Sequence, residues 1–195
     1  MKRTKFVLSI LTLLLFNNVF GQVLDRDKEI EKIFFDLPIN SNLTTLLNAA
    51  NASNFCTESP DWLIPGENYF TCFFSVHDYF KLQPRFYQME IFTSGKGYGI
   101  AGRMLDTVLV ISINANYGDG KNDFFTKDVE EQYEEFINRF KELSVKASEF
   151  RLSDGSSLDE NGYYFFRKKE KVPYLTISLD NYGRLHIMYI RVDKW

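Results

Sequence analysis

Two histidines, His77 and His186, are the only side chains whose ordinary pKa lies near neutrality, so histidine-based acid–base chemistry would have to use them. His77 is followed by Asp78. Adjacent residues of a strand point to opposite faces, so that carboxylate is badly placed to orient the ring. His186 alternates with Met188 and Ile190, which makes it a packed or rim histidine. Zinc needs three or four ligands, more than two histidines and two engaged cysteines supply. Asp159 and Glu160 read as part of a polar loop with nothing to perturb them, and no serine stands in a G-x-S-x-G elbow. The residue types therefore point away from catalysis. No catalytic residue, metal or cofactor is expected.

Two further stretches imitate binding motifs. Gly97-Tyr-Gly-Ile-Ala-Gly102 has the spacing of a dinucleotide fingerprint, which works when a tight turn aims a helix N-terminus at a pyrophosphate. Here Arg103 to Asn114 reads as strand. The glycines are expected to form a flexible hairpin or bulge, with Gly95, Gly97 and Gly99 accepting unusual φ. Asn114, Asn116, Asp119, Asn122 and Asp123 are rich in oxygen, but Gly118 and Gly120 do not fall in a calcium-loop register. A solvated turn ahead of a helix is the expectation.

Cys56 and Cys72 are the only cysteines. In an exported chain an even pair is expected to form a disulfide. The aromatic run YFTCFFS around Cys72 reads as a buried strand, which would raise a thiol pKa and disfavours a nucleophile. The bridge would constrain the loop TESPDWLIPGEN, and Trp62 either folds back over the open sheet as core or stands out as an interface anchor, since tryptophan gives large contact area at small entropy cost. Tyr79, Phe80 and Tyr98 are lesser candidates of the same kind.

Export is read from the N-terminus. Lys2, Arg3 and Lys5 precede an apolar run from Phe6 to Phe16, then small or neutral residues to Gly21. The run is shorter than the roughly 20 residues that span a bilayer. Residues 1–21 are therefore taken as a secretory signal peptide cleaved before Gln22, with 22–195 as one domain and no transmembrane segment after cleavage. Cleavage removes three basic and no acidic residues, taking the net charge from −3 to −6. Such a chain lacks the electrostatic footprint for nucleic acid. At 45% hydrophobic residues it can bury a continuous core. The composition and the cleavage site resemble those of bacterial secretory proteins, so Asn42 and Asn51 are expected to carry no sugar.

The fold must come from the periodicities. Val129, Tyr133, Phe136, Phe140, Leu143 and Ala147 step by fours and threes, predicting a long helix from Thr126 with its glutamates turned to water. Ile30, Ile33, Phe34 and Leu37 predict a first helix ended by Pro38. Leu43, Leu46, Leu47 and Ala50 predict a second, capped by Ser41. These two form an N-terminal helical hairpin. Strands are expected at 69–76, 85–93, 107–113 (the central one), 163–166, 174–179 and 185–192. The fold class is α+β: an antiparallel sheet of about six strands with the helices on one face. Residues 25–113 and 126–193 share the order helix then strands, which suggests two αβββ halves.

That outline resembles exported inhibitor proteins such as the β-lactamase inhibitory proteins, a likeness of outline that carries no residue across. The expected function is a non-catalytic protein-binding module, an inhibitor or immunity-type protein with a protein partner in the cell envelope. A small secreted hydrolase or ligand carrier with a cleft between sheet and helices is the alternative, and a structural envelope component is a third. The chain is expected in the periplasm or outside the cell.

Overall fold

The computed structural model describes residues 26–55, 69–94, 98–105, 108–117, 127–153 and 159–192. The chain is α+β, with one seven-stranded antiparallel sheet and three helices among the described residues. Helix α1 covers residues 26–33, α2 Leu43–Ala52 and α3 Lys127–Leu143. The sheet strands are β1 (Tyr69–Phe74), β2 (Phe86–Ser94), β5 (Val108–Asn116), β6 (Lys146–Ser153), β7 (Asp159–Phe166), β8 (Leu175–Asp180) and β9 (Arg184–Val192). They run in the order β1-β2-β5-β9-β8-β7-β6. Strands β3 (Tyr98–Ile100) and β4 (Arg103–Leu105) form a separate two-stranded hairpin.

Helix α1 buries Ile30 and Ile33, and the turn that follows it buries Phe34 and Leu37, which completes the stripe the spacing predicts. Its end is set by backbone geometry before Pro38 is reached: Asp36 N–H donates to Glu31 O at 2.8 Å, with Phe35 and Asp36 both at φ 56°. Helix α2 is capped by Asn42, whose side chain accepts from Thr45 N–H at 2.9 Å, and not by Ser41, whose hydroxyl instead donates to Pro38 O. Asn42 resumes the helix one residue later than expected because its carboxamide reaches the free N–H groups of the first turn.

Helix α3 buries Val129, Tyr133, Phe136 and Phe140 as expected, together with Gln132 and Ile137. It stops at Leu143, however, and Lys146–Ser153 is an edge strand rather than a helix end followed by a polar loop. Val145 N–H already bonds Phe166 O at 3.3 Å, and the Ser144 and Tyr174 hydroxyls meet at 2.5 Å, so the turn out of the helix is tied to the sheet. The sheet therefore has seven strands where six were expected. Its middle strand is β9, with β5 beside it, because β9 pairs with both β5 and β8.

One core cluster joins the helices to one sheet face, with Phe74, Tyr87, Met89, Ile111, Ile187 and Tyr189 among its members. Alternate residues point to the other face: Ser112 and Asn114 on β5, His186 and Met188 on β9, Thr176 and Ser178 on β8. Among the described residues no helix packs on that second face, and it holds the site described next.

Candidate functional site

Gly99 and Gly102 of the fingerprint-like run lie in the β3–β4 hairpin, not in a strand-to-helix turn. Ile100 pairs with Arg103 across a two-residue turn, Ala101–Gly102, with φ 48° and 70°. Two positive φ values in succession define the turn type whose twist suits adjacent strands. β5 follows β4, so the helix N-terminus a pyrophosphate needs is missing among the described residues. The glycine whose freedom is used is Gly102; Gly99 lies within β3, and Gly95 and Gly97 lie outside the described residues.

The hairpin folds back on the second sheet face. Ile100 packs with Val108, Val110 and Ile190 in a small core of its own, supported at its margin by Tyr164 and Met188. The backbone of Ala101 also bonds the Tyr164 hydroxyl. Beside that contact a cleft of about 600 Å³ opens between hairpin and sheet. Its floor and walls include Phe150, Leu152, Tyr164 and Met188, with Arg103, Glu160, Thr176, Ser178 and His186 as polar groups.

The register explains the shape of this cleft. Gly162 faces Phe150 on β6 and Ser178 on β8, and a Cβ at Gly162 would lie 2.6 Å from Phe150 Cζ and 2.6 Å from Ser178 Cβ. The missing side chain lets the Phe150 ring lie across β7, stacked on Tyr164 with centroids 4.3 Å apart and planes 24° apart. Two residues before Gly162 on the same face, Glu160 accepts a short hydrogen bond from the Ser178 hydroxyl. His186 Nδ1 stands 4.0 Å from the same Glu160 oxygen.

Electrostatics set what these groups can do. Burial pulls the His186 pKa below its usual value against the opposing pull of Glu160 and Asp180, so the ring is neutral at pH 7. Asp180 is occupied elsewhere: it accepts from Tyr182 N–H, from Arg184 N–H and from Arg184 Nε at 2.5 Å. The Ser178 hydroxyl donates to the Glu160 carboxylate and not to the histidine, so the two do not form a serine–histidine pair. At 4.0 Å the histidine and Glu160 are beyond hydrogen-bond reach. The arrangement sets a carboxylate, a hydroxyl and an imidazole beside an aromatic wall.

The other sequence candidates fall elsewhere. His77 is 4% exposed, its Nε2 2.6 Å from Ile33 O and its Nδ1 accepting from Tyr79 N–H at 3.2 Å, so both nitrogens serve the backbone. Tyr79 is half-buried; its hydroxyl donates to Glu29, its ring lies over the Arg139 guanidinium and it stacks on Phe136. Phe80 is 1% exposed, which leaves its ring no surface to offer a partner. Tyr98 opens β3. Trp62, Cys56, the first 21 residues and the Asp119–Asp123 stretch lie outside the described residues. Asn114 and Asn116 belong to β5. Cys72 is fully buried, and among the described residues there is no free cysteine.

Glu160, Phe150, Tyr164 and Ser178 are the residues the sequence reading missed. The composition around Glu160 predicts a polar loop, yet β7 begins at Asp159. The available signal was the alternation Glu160–Gly162–Tyr164 with a glycine inside a strand, which marks a close approach by another group. Among the described residues no three His, Cys, Asp or Glu side chains gather as a metal site, and no helix is long and apolar enough to cross a membrane. No protein-family model, curated protein or solved structure matches this chain.

Proposed function

We propose that the protein is an exported, non-catalytic binding module, an inhibitor or immunity-type protein that holds a protein partner in the cell envelope. The observation that carries this reading is the cleft under the β3–β4 hairpin, where half-exposed apolar side chains surround a few convergent polar groups. Export rests on the basic, apolar and small-residue layout of residues 1–21. Trp62 and Tyr98 are proposed as secondary contacts. The same proposal takes the N-terminal helices as a hairpin and the two halves as duplicated modules. The pairing of β5 with β9, the last strand of each half, supports that division.

A photo-reactive residue introduced at Leu152, exposed and on the cleft wall, is expected to cross-link a stoichiometric protein in envelope extract. The same residue at Val145, exposed but outside the cleft, is expected to give none. An empty Leu152 lane would sink the reading, and Trp62→Ala measures the contribution of the second contact. Cys56 and Cys72 are proposed as a disulfide. Intact mass of the secreted chain, taken before and after reduction, should show the gain of two hydrogens, and an unchanged mass would exclude the bridge.

A second reading is a ligand carrier, favoured by the neutral His186 beside Glu160. It predicts that a small molecule, and no protein, co-purifies in the cleft.

A further inference from the structure

The cleft contains a carboxylate, Glu160, that forms no ion pair with a lysine or arginine among the described residues. Glu160 is 25% exposed at its side chain and receives its hydrogen bond from the uncharged Ser178 hydroxyl. Its ion-pair neighbour within 4.0 Å is His186, which burial keeps neutral at pH 7. Arg151 on the neighbouring strand is committed to Asp159, and Arg184, two strands away, to Asp180. Arg103 also lines the cleft, but it stands exposed on the hairpin, where water and salt screen its charge. Glu160 is three-quarters withdrawn from solvent, so its field is screened far less.

An aromatic wall stands beside that carboxylate. Phe150 lies over Gly162 and stacks on Tyr164, and Gly162 separates Glu160 from Tyr164 on one face of β7. A half-buried carboxylate next to an aromatic face suits an organic cation, which gains from the charge and from the ring quadrupole together.

We propose that this cleft receives a lysine or arginine side chain of the partner protein, with Glu160 as counter-ion and the Phe150–Tyr164 pair as its aromatic wall. The inference rests on the binding-module reading and names the chemistry of its partner. The protein carries more acidic than basic residues, 26 against 23, so a basic partner is also the one its overall field attracts. The neutral His186 ring and the Thr176 hydroxyl, both on the cleft wall, remain as acceptors for the N–H groups such a side chain brings.

The test uses the full secreted chain and three probes: the N-acetyl methylamides of arginine, lysine and citrulline. Amide resonances of residues 99–103 and 160–164 are expected to shift saturably with the two cations and not with citrulline, which has the arginine shape without the charge. Glu160→Gln, which can still accept from Ser178, should weaken the arginine amide by about ten-fold. Tyr164→Leu keeps the carboxylate and should weaken it several-fold, which guards against a misfolded Glu160 variant. Raising salt from low to high concentration should weaken the cationic probes in the native chain. Equal shifts from citrulline, or an unchanged affinity in Glu160→Gln, would overturn the proposal. If Leu152 cross-links a protein whose capture ignores Glu160→Gln, this inference fails while the function stands. If the amides bind as expected but no protein cross-links, the partner clause and the function both fall, leaving a site for small cations.

Discussion

Valine at position 162 is expected to destabilise the protein by about 3 kcal/mol, because small-to-large changes in packed sheets force backbone shifts as well as side-chain strain. A Cβ there would meet Phe150 Cζ at 2.6 Å, Ser178 Cβ at 2.6 Å and Ile177 O at 2.7 Å. The first contact is the end of a ring that can swing away. The other two belong to β8, which is buried along its whole length and paired on both sides. They cannot retreat without opening the β7–β8 ladder. For a chain of this size that loss corresponds to a fall in Tm of roughly 10 °C. Adding Phe150→Ala to Gly162→Val should recover only part of the loss, since two of the three collisions persist. Thermal unfolding of the single and double variants reads the difference. Full recovery in the double would show that the ring alone needed the space, and a single variant within about 1 kcal/mol of native would contradict the β7–β8 spacing itself. The same substitution also lifts Phe150 off the strand, so the aromatic wall beside Glu160 is lost with the stability.

How much of this could be read from the chain depends on where each element keeps its information. Helix α3 was legible because Val129, Tyr133, Phe136 and Phe140 share one face while the glutamates occupy the other, a pattern no strand reproduces. β5 and β9 were legible because their runs of β-branched and aromatic residues suit a half-buried pleated surface. β6 was not. Lys146, Ala147, Ser148 and Glu149 extend the helical stripe by one more step, and only pairing with β7 across the sheet edge decides against it. The α1 stripe was readable, but its termination through positive φ at Phe35 and Asp36 was not, because neither residue type signals that conformation. The candidate site was the least legible part. Asp159–Glu160–Asn161–Gly162 has turn composition. Its role as strand comes from long-range pairing with residues about eight before it and eighteen after it in the register. The small core of Ile100, Val108, Val110 and Ile190 draws on three strands, which no local window can assemble.

His77→Gln is expected to cost about 3 kcal/mol at pH 7.5, and the cost should shrink as the pH falls. The ring closes two backbone gaps at once. Nε2–H donates to the carbonyl of Ile33 at 2.6 Å, one of the carbonyls left without a partner at the end of α1, and Nδ1 accepts from Tyr79 N–H at 3.2 Å. This pairing fixes the neutral tautomer with its proton on Nε2. The ring also stacks on Phe35 at 4.0 Å, inside an aromatic cluster that holds the turn after α1 against the end of β1. Glutamine restores neither the stack nor both bonds, so a buried donor or acceptor is stranded. Burial lowers the His77 pKa; the bond to Ile33 and the charges of Asp78 and Asp36 oppose it without reversing it. The sign follows from linkage. An unfolded histidine titrates near 6.5, so on acidification the unfolded chain gains a proton before the folded one does. The contribution of His77 is whole above that pH and falls below it by up to about 1.4 kcal/mol per pH unit. His186 shifts in the same direction, but it is present in both proteins and cancels in the comparison. Urea midpoints of native chain and variant between pH 8 and pH 5 should therefore converge toward the acid end. A constant gap would mean that His77 binds protons alike in both states, and a widening gap would mean that the folded chain holds it charged against the Tyr79 N–H.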